Sequence, residues 1–260
     1  MKILIKTNIL QKTYWKMGKC CSNVKEFYTE TDSYYELKLR NFEEEKLKAF
    51  EYAFQYIRSF QVFNSNSINK KQVISFFKEH FGETMVELVS RSYFEIEGEP
   101  TLVSGQKVKA LVYLLSRAEI VKGRNKNYYD KSKYLIQEVL INEEEGMNTP
   151  IELNNPNFNN FITTLIETTY EITIFYMNYQ EKNNESVDKE FQEIVNVSSD
   201  KLREIFKQNL NSFQKQNISY TLSFQEIERR FSKDKWFLTP GYFRELAMLY
   251  ITSQPQKNAH

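Results

Sequence analysis

The chain has 260 residues, of which 15% are aromatic and 27% are charged, a composition typical of a folded protein and not of a disordered one. It contains 7 glycines and 5 prolines, too few turn residues for an all-β sandwich or barrel of this length. The formal net charge of +1 provides no strong overall attraction to nucleic acid, which is therefore not expected as a partner.

Residues 1–40 are predicted to form a basic arm that precedes the folded part. The sequence MGKCCS at 17–22 fits the N-myristoylation pattern, with Gly18 as the acceptor and Cys20 and Cys21 as candidate palmitoylation sites. Two acyl chains would anchor the protein stably to a membrane, provided that translation starts at the methionine of this motif. The alternatives are a disordered arm with two incidental thiols and a mitochondrial presequence, which the lack of arginine in residues 1–25 disfavours.

From residue 41 onward, apolar residues recur at helical spacing in segments separated by loops of roughly ten residues. The pattern predicts helices near 41–57, 69–81, 84–95, 104–117, 131–141, 157–179, 187–195, 199–214, 223–232 and 240–251. We therefore predict an all-α fold of paired helix-loop-helix, EF-hand-like units. They form two lobes, at residues 41–145 and 146–251, followed by a tail at 252–260. The competing architecture is an irregular helical bundle.

Paired helices joined by loops of about twelve residues are typical of the EF-hand. Its loop binds calcium through oxygen ligands at positions 1, 3, 5, 7, 9 and 12 and has glycine at position 6. In that family an apolar residue at position 8 links two loops through a short β pairing. Three loops can be aligned by such a residue, namely Gln61–Gln72 by Ile68, Glu95–Gln106 by Leu102, and Lys215–Glu226 by Leu222.

None of the three aligned loops carries a full set of calcium ligands. The first has no carboxylate at positions 1, 3 and 12, and the third has a lysine at position 1, where a cation repels the ion. The middle loop has Glu95, Glu97 and Glu99 at positions 1, 3 and 5, but proline replaces the glycine and glutamine replaces the bidentate acid. These three residues and Glu226 are weak candidates for metal ligands, and we predict no cofactor and calcium-incompetent loops.

The chain resembles the degenerate EF-hand-like helical region that precedes the TLDc domain in TLDc-domain proteins. The similar stretches are MGKCCS at 17–22, INKKQVISFFKEHFG at 68–82, KVKALVYLLSR at 107–117, DKSKYLIQEVL at 130–140 and LSFQEIERRF at 222–231. No TLDc domain is recognisable after residue 250. The association of that domain with the proton-pumping ATPase and oxidation resistance is therefore not expected to transfer. The resemblance implies a helical scaffold that binds partners.

The segment 104–135 has the strongest charge imbalance of the predicted folded part. Its basic residues are Lys107, Lys109, Arg117, Lys122, Arg124, Lys126, Lys131 and Lys133, against two acids. This pattern is consistent with a docking site for an acidic protein or an anionic membrane surface. It is equally what a solvated face would have if the acidic stretches 143–145 and 185–193 balance it.

No dinucleotide, phosphate-loop, zinc-protease or nucleophile-elbow motif is present, and two histidines leave little for acid–base chemistry. We therefore predict a non-enzymatic scaffold or adaptor with protein partners. Two adjacent cysteines form no disulfide framework, which favours the cytoplasm, at a membrane face if the arm is acylated. The alternatives are a structural subunit of a ciliary or cytoskeletal assembly and a calcium sensor that uses the loop 95–106.

Overall fold

In the computed structural model, the residues that can be described are 67–80, 83–115, 151–152, 154–182, 189–212, 221–222, 229–230 and 237–254. All of them belong to the unit formed by Thr31–His260. The predicted arm at 1–40, with Gly18, Cys20 and Cys21, lies outside these residues. So do Glu226 and six residues of the predicted basic segment, Arg117, Lys122, Arg124, Lys126, Lys131 and Lys133.

The first part of the described chain alternates short strands with three helices. The elements are β1 (Ser67–Asn69), α1 (Lys70–His80), α2 (Glu83–Val89), a single 3₁₀ turn (Ser92–Phe94), β2 (Glu95–Ile96), β3 (Glu99–Ser104) and α3 (Gly105–Leu115). The side chains of Asn69 and Ser104 precede α1 and α3 and accept hydrogen bonds from backbone amides of their first turns, Lys71 at 3.0 Å and Lys107 at 3.4 Å. These bonds satisfy helix-start amides that have no partner inside the helix.

The strands β1, β3 and β2 form an antiparallel sheet in that order, with β3 in the centre. Ile68 lies opposite Val103 on one side of β3, and Glu95 lies opposite Val103 on the other. A tight turn joins β2 to β3, and Gly98 there has a φ of +79°, a backbone conformation that side chains disfavour. The sheet therefore joins the segment before α1 to the segment between α2 and α3.

The second part consists mainly of helices. Its elements are β4 (Ile151–Glu152), α4 (Pro156–Lys182), α5 (Lys189–Val195), α6 (Ser199–Ser212), β5 (Thr221–Leu222) and α7 (Pro240–Ser253). The Asn155 side chain accepts hydrogen bonds from the amides of Asn157 and Phe158 at the start of α4, at 2.8 and 3.4 Å. The strands β4 and β5 pair antiparallel, with Ile151 opposite Leu222.

One hydrophobic cluster contains the buried residues of both parts. In it, α3 packs along α4. Helices α5, α6 and α7 also pack on α4, and α7 contacts both α5 and α6. Apolar side chains of α1 and α3, such as Phe77 and Leu111, are 0% exposed, as are Leu165 of α4 and Phe243 of α7. Elements from both sides of the predicted lobe boundary thus share a core, and α4 is its longest member.

The described residues are mostly helical, as predicted, but an all-α fold is only the coarse description because a three-stranded sheet and a two-stranded pair are also present. The predicted helix at 84–95 is wrong beyond Val89, because Glu95 and Ile96 pair with β3 instead. Val103 lies opposite Ile68, whereas Leu102, the residue used to align the loop Glu95–Gln106, lies opposite Asn69. The last helix continues to Ser253, two residues into the predicted tail.

Candidate functional site

The described residues bring together two pairs of inter-helix segments, and these pairs are the candidate site. In the first pair, Ile68 and Val103 face each other across β1 and β3, and both side chains are 0% exposed. Helices α1 and α3 begin two residues after them, at Lys70 and Gly105. The second pair is joined by the backbones of Ile151 and Leu222. The first pairing fixes the positions of two helix starts relative to each other.

The side chain of Lys70 connects the start of α1 to the segment on the far side of the sheet. Its Nζ donates a hydrogen bond to the carbonyl oxygen of Ser90 at 3.2 Å and forms an ion pair with the Glu95 carboxylate. The Lys70 and Glu95 side chains are 18% and 32% exposed, so the pair is partly shielded from water. The contacts join residues that are 20 and 25 positions apart in the chain.

Among the weak candidates for metal ligands, Glu95 is paired with Lys70, while Glu97 and Glu99 are exposed at the turn between β2 and β3. Across the described ranges, no three Asp, Glu, His or Cys side chains come together in a group that could hold a metal ion. The three carboxylates of the acidic loop therefore do not form a shared ligand set.

Of the predicted basic segment, Lys107 and Lys109 lie on α3 and both are half-buried. Lys107 Nζ donates to the carbonyl oxygen of Tyr93 at 2.8 Å and lies 3.8 Å from the centroid of the Tyr93 ring. The carbonyl oxygen accepts a hydrogen bond from the ammonium, and the electron-rich face of the ring attracts it. The Lys107 ammonium therefore orders the segment before β2.

A second polar group joins this segment to α4. The Arg91 guanidinium forms an ion pair with Glu171 and lies 5.9 Å from the centroid of the Phe175 ring. The Tyr93 hydroxyl is 3.3 Å from the Thr168 hydroxyl. Burial raises the pKa of the Glu171 carboxyl, and the charges of Arg91 and Lys107 oppose that rise. Burial also raises the pKa of the Tyr93 hydroxyl, which therefore stays protonated at neutral pH.

Sequence reasoning did not identify Lys70, Arg91, Tyr93 or Glu171 as parts of a polar site. One signal was available for the last of them, since Glu167 and Glu171 are the only charged residues between positions 156 and 180. A charge in an otherwise uncharged helix that packs on a core requires a partner. The partner itself lies 80 positions earlier in the numbering, and no local pattern indicates it.

The three cations of this site, Lys70, Arg91 and Lys107, are each held against a carboxylate, a carbonyl oxygen or an aromatic ring. Across the described ranges, every helix is too short or too polar to span a lipid bilayer. Comparison of the chain with protein-family models, with curated proteins and with solved structures gives no match.

Proposed function

We propose that the chain is a non-enzymatic helical adaptor built from EF-hand-like units that pair without calcium. The observation that carries the proposal is the antiparallel contact between Ile68 and Val103, with a helix beginning two residues after each of them. In EF-hand pairs, apolar residues at loop position 8 meet in the same way. The backbone pairing of Ile151 with Leu222 supports a second unit of the same kind.

The observed register makes the loops poorer in calcium ligands than the sequence alone indicated. With Val103 at position 8, the second loop runs from Ile96 to Lys107, so an apolar residue occupies position 1 and a cation occupies position 12. Calcium requires oxygen ligands at both positions, with a bidentate carboxylate at the last. Because the Lys107 ammonium already contacts Tyr93, this loop is ordered by the protein itself.

The loop that would have Ile151 at position 8 ends in the same way. It runs from residue 144 to residue 155, so position 12 is Asn155. The side-chain oxygen of Asn155 caps α4, and a neutral amide replaces the bidentate carboxylate. A loop whose last position holds a cation of the protein, as Ile96–Lys107 does, would keep one conformation whatever the calcium concentration, which suits an adaptor that stays bound to its partner.

Within this proposal the basic segment is the docking site for an acidic protein or an anionic membrane surface. Lys107 is engaged with Tyr93, so docking is expected to depend on the other basic residues, above all Lys122, Arg124 and Lys126. Acylation of Gly18, Cys20 and Cys21 would hold the adaptor at a cytoplasmic membrane face. Mass spectrometry of the native N-terminus tests the anchor, because an unacylated Met1 terminus contradicts it.

The adaptor proposal is tested by affinity purification of the tagged chain from its native cells, in parallel with calcium and with the chelator EGTA. We expect the same proteins, in the same ratios, under both conditions. Reversing the charge of Lys122, Arg124 and Lys126 should reduce the recovered partners, and reversing Lys71 and Lys78, which are exposed on α1, serves as a matched control. A partner set that appears only with calcium contradicts the proposal, and so does the lack of any retained partner.

A further inference from the structure

The two contacts of the Lys70 ammonium have the pattern of cation coordination. One is to a main-chain carbonyl oxygen, of Ser90, and the other is to a carboxylate oxygen, of Glu95. These are the two oxygen types that a divalent ion collects when it orders a helix–loop–helix segment. Here the cation is covalently attached to the first residue of α1, which directly follows β1.

We infer that the Lys70 ammonium is a built-in cation that orders the segment 90–95 in place of a metal ion. The inference rests on the proposed function and gives Lys70 a role in this segment beside the contacts of Lys107 and Arg91. The sheet supports it, because β1 and β2 flank β3 on opposite sides and Lys70 therefore links both edges. Without its charge, nothing recorded for the described residues neutralises Glu95.

Charge in the neighbourhood strengthens the need for a cation. Glu95, Glu97 and Glu99 lie within five residues on the two sides of the Gly98 turn. Like charges this close repel one another, and partial burial of Glu95 increases the repulsion. A neutral residue at position 70 would leave the Ser90 carbonyl oxygen and the Glu95 carboxylate without the cation that both now contact. Calcium in solution would then bind weakly between these two groups and restore part of the order.

The test compares thermal unfolding of the full chain in EGTA and in millimolar calcium, the affinity range of weak loop sites. For the wild type we expect no calcium response. For Lys70→Gln we expect a melting temperature lower by roughly 2–4 °C in EGTA and partly recovered in calcium. The double variant Lys70→Gln/Glu95→Gln should not respond to calcium, because the carboxylate that binds it is gone. Lys70→Arg keeps the charge and should behave like the wild type.

Lys78→Gln is the matched control, because Lys78 lies on the same helix as Lys70 and also pairs with a glutamate. Its ion pair with Glu83, at 3.0 Å, has both side chains more than half exposed, at 65% and 73%. It should change neither the melting temperature nor the calcium response. Should Lys70→Gln fail to fold in EGTA, refolding in calcium is the readout, and recovery there supports the inference.

Different results of this experiment would contradict the inference and the proposed function. A calcium response of the wild-type chain contradicts calcium-independent pairing and hence the proposed function. If the wild type does not respond to calcium, two results for Lys70→Gln overturn the inference and leave the proposed function intact. One is a stability equal to that of the wild type, and the other is a loss of stability that calcium does not reverse.

Discussion

Residues 67–115, which we call the sheet region, and residues 154–254, which we call the helical region, position their inter-helix segments by different means. In the sheet region, charged side chains cross between segments, as Lys70 does to Glu95 and Lys107 to Tyr93. In the helical region, aromatic rings meet around Phe206, which is 1% exposed. Its neighbours within 6.4 Å, measured between ring centroids, are Phe158, Phe237, Tyr242 and Phe243.

Because of this difference, the two regions should respond differently to salt, pH, temperature and the loss of side-chain volume. Contacts between charges weaken with salt and depend on protonation, whereas packed rings depend on volume and on temperature. The two regions meet at α4, where the ion pair of Arg91 with Glu171 lies beside the core. Substitutions in the helical region should therefore have the largest effects on stability, and those in the sheet region should have effects that vary with solution conditions.

The largest expected effect is that of Phe206→Ala. Removal of the ring leaves a cavity among four aromatic neighbours and should lower the free energy of unfolding by about 3–5 kcal/mol. Equilibrium denaturation in urea measures it. Phe191→Ala is the control, because that ring is only partly buried at the margin of the cluster. Equal losses in the two variants would contradict a core centred on Phe206.

The next effect is that of Arg91→Met, which leaves the Glu171 carboxylate without its guanidinium. The Glu171 side chain is 12% exposed and that of Arg91 is 26% exposed, so the loss should lie between the values for surface and buried pairs, about 1–3 kcal/mol at pH 7. Arg91→Lys is the control that keeps the charge.

The pH dependence of this loss has a definite sign. Burial raises the folded-state pKa of Glu171 above its ordinary value of 4.5, and removal of Arg91 raises it further. A raised carboxyl pKa contributes stability that is fully present below the unfolded-state pKa and is lost as the pH rises through the folded-state pKa. The deficit of Arg91→Met should therefore be small near pH 4 and grow towards neutral pH. In an Arg91→Met/Glu171→Gln background the growth should vanish, and a deficit that shrinks with rising pH would contradict the account.

A smaller effect is expected for Gly98→Ala at the turn between β2 and β3. A Cβ atom at this position would have no heavy atom within 4 Å, so the cost comes only from the φ of +79°. That cost is roughly 1–2 kcal/mol. Thermal unfolding measures it, and Gly98→Asn should cost less because asparagine tolerates this conformation. An equal loss of stability in both variants would mean that the positive φ at this turn is not the cause of the loss.

The smallest effect is expected for Asn155→Ala, which removes the cap of α4. Loss of the side-chain oxygen leaves two amides of the first turn without that acceptor and should cost about 1 kcal/mol. Asn155→Asp keeps an acceptor and adds a charge that the helix start favours, so it should be neutral or slightly stabilising. A loss of equal size in both variants would show that the amide nitrogen, and not the oxygen, matters.

The helices could be predicted because their signal is local. Val73, Phe76 and Phe77 recur at helical spacing, and α1 lies within one residue of the predicted range at each end. The hairpin at Glu95–Ser104 could not, because β2 has only two residues and most of the acidic stretch resembles a solvated loop. Ile68 and Leu102 were used to align two loops, but which residue would pair with Ile68 was not predicted, because registers of short strands have no marker in the sequence.

The candidate site was the least predictable part for the same reason. Lys70 contacts residues 20 and 25 positions away, and Arg91 contacts a residue 80 positions away in the numbering. The sequence shows that a cation stands at positions 70 and 91, but it does not show which carboxylate each cation contacts. The packing of α3 on α4 and of β3 between β1 and β2 determines those contacts.

Hydrogen–deuterium exchange of the wild-type chain tests most directly whether protein side chains, and not calcium, hold the loops together. The informative amides are those of residues 67–69, 95–104, 151–152 and 221–222, which form the pairings. The account predicts that they are protected in EGTA and that calcium leaves their exchange rates unchanged. Free exchange in EGTA that becomes slow when calcium is added would contradict it.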